Sequence, residues 1–280
     1  MKKIVLLILL GLIKPVFAYE MAVSSKTILE KMVIQIQSIQ NIRYNLHAIE
    51  RVNGKYLNAY SEIKINIYPR KVYLKNTIKN LEVLYSEGTN NNDALVNPGK
   101  FPYLTLNLNP NKSIMRKGQH HTIDDLGFQY VSNIVANNFP ANPKQFDKVF
   151  INLGIVNVQG KPCYKIYNEY KDFKYIRYTI KRGDTVRNIS TKFNCGDYRI
   201  MEKNPIIKIN EPLTEGTTIL VPNYYANKTL LYIDVTSYLP VSITTNDNEG
   251  LYESYEFSNI QVNTIFNPSE FQRDYTGYNF

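Results

Sequence analysis

YTIKRGDTVRNISTKFNCGDYRIMEKNPIIKINEPLTEGTTILVP, residues 178–222, carries a complete small fold within one short stretch. Tyr178 and Ile180 alternate with Thr179 and Lys181, the period-two pattern of a half-buried strand. Gly183 and Asp184 then turn the chain, and Asp184 or Thr185 is placed to cap a helix whose apolar side is Val186, Ile189 and Phe193. Gly196 and Asp197 break that helix and start another. The second helix carries Ile200 and Met201 and stops at Asn204-Pro205, because proline disfavours helical geometry in the residue before it. A loop to Leu213, a turn at Gly216 and a strand from Ile219 to Val221, ended by Pro222, complete the order strand, helix, helix, strand.

These residues resemble a LysM domain, the small module that binds N-acetylglucosamine-containing glycans such as peptidoglycan. The matching positions are Gly183-Asp184-Thr185, Ile189, Asn204, and then Leu213, Gly216, Ile219, Val221 and Pro222. Val186 stands where leucine is usual and Ser190 where alanine is usual. The resemblance implies a shallow sugar groove between two loops, with Gly183, Asp184, Thr185 and Val186 facing Pro205, Ile206, Ile207 and Lys208. Backbone groups beside a glycine turn can bond an acetamido group while aliphatic side chains hold its methyl. A LysM fold kept only as a spacer is the competing reading.

Outward from the module, the chain reads as strands. Ser24 and Ser25 precede a helix with Ile28, Leu29, Met32, Val33, Ile36 and Ile39 on one face. Ile42 to Val52 is a strand, Asn53-Gly54 a two-residue hairpin turn, and Leu57, Ala59, Ile63, Ile65 and Ile67 alternate with polar residues along the returning strand. Short strands follow at 72–74 and 81–85, then a polar loop from Thr89 to Gly99 with a strand at 94–96. Thr122 is expected to begin a helix reaching about Asn138, with Asp125 at the capping-box position and Ile123, Leu126, Tyr130 and Ile134 inward. Strands return at 149–158 and 161–170, and again after the module at 230–235, 241–245 and 251–262. No linker rich in Pro, Gly or Ser flanks residues 176–223, so that module reads as an insertion whose ends lie close together. An aromatic tail with Phe271, Tyr275, Tyr278 and Phe280 is expected to dock on the larger body.

The fold class is therefore α+β: a large curved antiparallel sheet covered by two helices, plus an inserted βααβ module. The sheet comprises residues 19–175 and 224–280. The stretch LLYIDVTSYLPVSITTNDNEGLYESYEFSNIQVN resembles the half-barrel of periplasmic lipoprotein carriers (the LolA/LolB-like fold), and RKGQHHTIDDLGFQY resembles an uncharacterised exported bacterial family. The resemblance implies a concave apolar interior able to hold acyl chains, with Leu57, Ile63 and Ile65 as candidate lining. A closed core that binds nothing is the alternative.

The chain has 280 residues, a formal charge of +9 and 44% hydrophobic residues, enough for a real core. Residues 1–18 read as a signal peptide, with Lys2-Lys3, an apolar run from Ile4 to Ile13 and Val16-Phe17-Ala18 at the cleavage site. Removing its three lysines leaves about +6, which favours anionic surfaces or reflects a solvated lysine-rich exterior. No other stretch is long and apolar enough to span a bilayer, and no cysteine sits at the cleavage point to carry a lipid. An exported protein that binds no nucleic acid follows, and the LysM resemblance implies that it is wall-associated. Cys163 and Cys195 either pair or remain ordinary buried thiols.

His120-His121 raises a metal or acid–base question. Adjacent residues on an extended segment point to opposite faces, so the pair is expected to serve no common metal. The Asp-Cys-Ser-Gly, Ser-x-Gly-Cys and His-x-His signatures of wall-active enzymes are absent. No catalytic residue, metal or cofactor is assigned. The expectation is a non-catalytic envelope protein that binds glycan and a lipid or lipoprotein; a wall-active enzyme with an unrecognised site, or a structural spacer, are the alternatives.

Overall fold

The computed structural model describes residues 23–207 and 212–280; residues 1–18, read above as a signal peptide, and Lys208 lie outside them. The chain opens with helix α1 (Ser25–Gln37), capped by Ser24. Strands β1 (Asn41–Val52), β2 (Lys55–Asn66), β3 (Lys71–Asn76), β4 (Leu81–Ser86), β5 (Ala94–Asn97) and β6 (Leu106–Leu108) follow. Next come α2 (Phe128–Asn137), the single turn α3 (Phe146–Val149), β7 (Phe150–Val158) and β8 (Lys161–Glu169). The module is β9 (Tyr175–Thr179), α4 (Val186–Lys192), α5 (Asp197–Lys203) and β10 (Thr218–Pro222). The chain then returns through β11 (Lys228–Asp234), β12 (Pro240–Asp247) and β13 (Gly250–Val262).

Eleven strands form one open antiparallel sheet in the order β6-β5-β4-β3-β2-β1-β13-β12-β11-β8-β7, a half-barrel whose edge strands β6 and β7 do not meet. Period-two alternation gives it an apolar inner face. There Ile42, Ile63, Ile65, Val72 and Ile233 pack against Ile28, Leu29, Met32 and Ile36 of α1 and Phe128 of α2. The outer face is covered near β3 and β4 by the C-terminal tail: Tyr278 stacks on Tyr73 with ring centroids 3.8 Å apart, and Phe271 is buried beside Leu84. The tail docks as its aromatic content implied.

One expectation is corrected, and the choice left open for the cysteines is resolved. The second helix begins at Phe128, not Thr122, because Gly127 adopts φ +97°, outside helical geometry. Thr122 and Asp125 do bond each other, main-chain N–H and hydroxyl both donating to the carboxylate, but they close a turn rather than cap a helix. Cys163 and Cys195 are both free and buried, in β8 and between α4 and α5, so no bridge pins the module. Burial pushes the Cys195 thiol up to about 12.

The module is strand, helix, helix, strand as read, with β9 and β10 antiparallel and its own core of Ile180, Ile189, Ile200, Ile219 and Val221. Thr185 caps α4 in a reciprocal capping box with Asn188. Asn204 ties α5 to β10, bonding the main chain of Leu220 at both its N–H and C=O.

Ion pairs attach the module to the sheet. Asp197 receives both arms of Arg116, and Arg187 meets Asp125 at 2.9 Å. Arg199, fully buried, lies 3.0 Å from Asp247 and 3.4 Å above the Tyr252 ring. Arg51 binds the same Asp247. Removing one member of such a buried group leaves the others uncompensated, a cost of about 3–5 kcal/mol. Asp247→Ala is expected to lower unfolding free energy by about that amount in urea titrations, whereas Lys203→Ala, whose pair with the half-exposed Glu249 faces solvent, should change it by under about 1 kcal/mol.

Candidate functional site

The register of the inner face builds the site. Directly opposed residues in antiparallel strands share a face, and one such row runs Glu50–Glu253–Thr245–Thr229–Asn168–Phe150 across β1, β13, β12, β11, β8 and β7. Two residues along, the next row is Ala48–Tyr255–Ile243–Leu231–Ile166. A polar row thus lies beside an apolar one. Helix α2 crosses above them, presenting Val131, Ile134 and Val135, and leaves a cavity of about 120 Å³ lined by both rows.

The polar end is a buried hydrogen-bonded cluster. Glu253, 2% exposed, accepts from the Tyr225 hydroxyl at 2.6 Å, the Tyr255 hydroxyl at 3.2 Å and His120 Nδ1 at 2.9 Å, and lies 3.4 Å from His121 Nε2. His120 is stacked between Tyr198 and Tyr252 at 4.6 and 4.2 Å. Its Nε2 faces the Arg51 carbonyl at 3.0 Å while its main-chain N–H donates to Glu50. Both ring nitrogens are therefore within hydrogen-bond reach of an oxygen.

Burial alone would raise Glu253, but hydrogen bonds from His120 and His121 and their charge hold it well below the usual carboxylate range. Burial opposes a charged His121, yet the Glu253 carboxylate, aided by Asp125 and Glu50, lifts that ring to about 9. Asp125, also in the cavity wall, is held below the carboxylate range against its burial by His121 and Arg187.

The expectation that adjacent histidines diverge is overturned. Residues 120–121 form a bend rather than a strand, and both rings reach one carboxylate. Among the described residues no group of three or more His, Cys, Asp or Glu side chains has metal-holding geometry.

The three proposed lining residues are also corrected. Leu57 stands opposite Glu50 on the same face but past the covered region, 40% exposed. Ile63 and Ile65 are buried in the closed core under the helices, where the Ile65 side chain abuts Gly127. None of the three lines the cavity, which lies on the other side of β1. The missed residues had a visible signal. Leu251, Glu253, Tyr255 and Phe257 fall on one face by alternation, so an acid sits on an apolar stripe, and Thr245 and Asp247 continue the stripe of Val241 and Ile243 on β12.

On the module, Gly183, Thr185, Pro205 and Ile206 are exposed, Ile206 at 72%, with Asp184 and Val186 half-buried. Space is open around Gly183, whose φ of +83° suits glycine. Ile207 is buried in the module core and so is corrected from groove wall to core. The Asp184 carboxylate is already engaged, accepting from the Tyr178 hydroxyl at 2.7 Å and the Lys181 N–H at 2.8 Å.

A family model described as a protein of unknown function (DUF1571) matches residues 39–177, just under half of the chain. No curated protein sequence matches. Among solved structures, the chain is similar to LprF from Mycobacterium bovis, with a TM-score of 0.42 and 13% identity over 87% of this chain and 96% of that one. It is similar to MucB crystallised with MucA(peri), at 0.40 and 13% over 89% of this chain, and spans only 59% of that chain. It is also similar to a LolA superfamily protein from Nitrosomonas europaea, at 0.34 and 11% over 91% and 100% of the two chains.

The raised His121 sets a pH dependence. A group whose folded pKa exceeds its unfolded value of 6.5 stabilises fully below that value and loses its contribution as pH rises through the folded pKa of about 9. Wild-type protein is expected to lose about 3 kcal/mol of urea stability between pH 6 and pH 10 relative to His121→Gln; parallel pH profiles for the two would refute the assignment.

Proposed function

We propose that the chain is an exported binding protein without a catalytic centre, whose sheet cavity holds one acyl chain. The observation that carries this is the pairing of an apolar row with a polar row under α2. A wall of Ile243, Leu231, Ile166 and Val135 favours a hydrocarbon at about 25 cal/mol per Å² removed from water. A dry cavity of about 150 Å³ takes up benzene, so about 120 Å³ admits a single chain segment rather than several chains. The buried titratable groups bond one another, which supports a binding role over acid–base catalysis.

The module supports a second binding activity, toward N-acetylglucosamine-containing glycan. Its βααβ order and LysM-like residues, and the exposure of Gly183, Thr185, Pro205 and Ile206 on loops that the sheet leaves uncovered, favour this over a spacer. Together the two activities describe an envelope protein anchored on the wall while it holds a lipid or the acyl chain of a lipoprotein.

Two measurements check these readings. The chain has no tryptophan, so Phe150→Trp places a single indole in the cavity wall, and brominated octanoyl lipid is expected to quench it; an unquenched indole at saturating lipid refutes the cavity reading. For the glycan, Ile206→Asp should abolish retention on insoluble peptidoglycan with unchanged thermal unfolding. Retention equal to wild type would refute the groove.

A further inference from the structure

One hydroxyl in the cavity has no partner. Thr245 is 2% exposed, lines the cavity, and its Oγ1 makes no hydrogen bond among the described residues. It stands in the middle of the polar row, between Glu253 and Thr229. Along the row, Glu253 is engaged through the cluster described above, and Asn168, one strand beyond Thr229, donates to the Val149 carbonyl at 2.8 Å. A buried donor and acceptor left open at the junction of polar and apolar rows is a feature the folded protein alone does not explain.

We propose, building on the acyl-chain reading, that Thr245 receives the head of a neutral single-chain amphiphile, a hydroxyl, ester or amide group joined to one hydrocarbon chain. The charge around the site selects the head. Glu253 is the direct cross-strand neighbour of Thr245, which puts the two side chains about 5 Å apart at Cβ. Asp125 stands in the same wall as a second carboxylate, already paired with Arg187, while His121 faces Glu253. An anionic head at Thr245 would meet a like charge in a dry site. A cationic head finds Glu253 already holding two tyrosines and two histidines. A neutral group that both donates and accepts matches a threonine hydroxyl without disturbing either.

The test titrates full-length mature protein with 1-octanoylglycerol, octanoate, octylamine and n-hexane at pH 7.5, followed by NMR, for wild type and Thr245→Val. The expected result is that 1-octanoylglycerol binds at least tenfold tighter than octanoate or octylamine. Thr245→Val should weaken it about fivefold, leave hexane binding unchanged and keep or raise thermal stability, since the lost hydroxyl was unpaired. Octanoate or octylamine binding as tightly as the glyceride, or an unchanged affinity in Thr245→Val, overturns the head-group assignment while hexane uptake leaves the cavity reading standing. Binding of none of the four probes, hexane included, overturns both.

Discussion

An open antiparallel sheet with one apolar face must have that face covered, and its helices are too short to cover it. Eleven strands at about 4.8 Å spacing span about 48 Å across the hydrogen-bonding direction. Helix α1, with 13 residues, is about 20 Å long, and α2 with 10 is shorter. The remaining face is covered piecemeal. The tight core lies under α1 and Phe128, the loop through His120 and His121 closes one end, and the space under α2 beside β11 and β12 stays partly unfilled. The cavity is therefore a consequence of geometry: strand register fixes which side chains face inward, and helix length fixes which of them lack a neighbour.

The same inward face carries acids, and their compensation organises the structure. Glu253 and Asp247 both occupy inward positions on neighbouring strands, and each is matched by side chains from sequence-distant segments. Arg199 comes from α5 of the module and enters between Asp247 and Tyr252, so an acid on the sheet is the socket for the inserted unit. A buried pair gives little net stability over an apolar contact of the same shape, but a mispaired one is costly. These pairs therefore act chiefly on orientation. Arg116–Asp197 and Arg199–Asp247 both lie at the seam between the module and the rest of the chain.

The strands and the module were legible because their signals are local. Asn53-Gly54 fixed the first hairpin, alternation from Leu57 to Ile67 fixed the second strand, and Thr185, Asn204 and Gly216 marked the limits of the βααβ elements. The cavity was not legible, because membership depends on which strands lie side by side. Ile63 and Ile65 satisfy the same alternation as Leu231 and Ile243, and only the placement of α1 and Phe128 over the former separates filled from unfilled. The histidines escaped that pattern for a related reason: alternation assumes an extended chain, and residues 120–121 bend, bringing both rings to Glu253 of β13. Glu253, an acid on the Tyr255–Phe257 stripe, is the mark in the sequence that calls for a counter-charge, and His120-His121 supply it.

The module and the cavity share parts. Asn194, between α4 and α5, donates to the Ile134 carbonyl at 3.0 Å and receives the Asn137 amide at 3.2 Å, so the inserted unit grips the helix that roofs the cavity. Arg187 and Asp197 grip the loop on the other side of that roof, at Asp125 and Arg116. Ile134 and Val135 line the cavity on the underside of the same helix whose C-terminal end Asn194 holds. Residues 183–186 and 205–206 make none of these ion pairs. The inserted unit thus has one side committed to the roof of the cavity, through Asn194, Arg187 and Asp197, while Gly183, Thr185, Pro205 and Ile206 stay exposed.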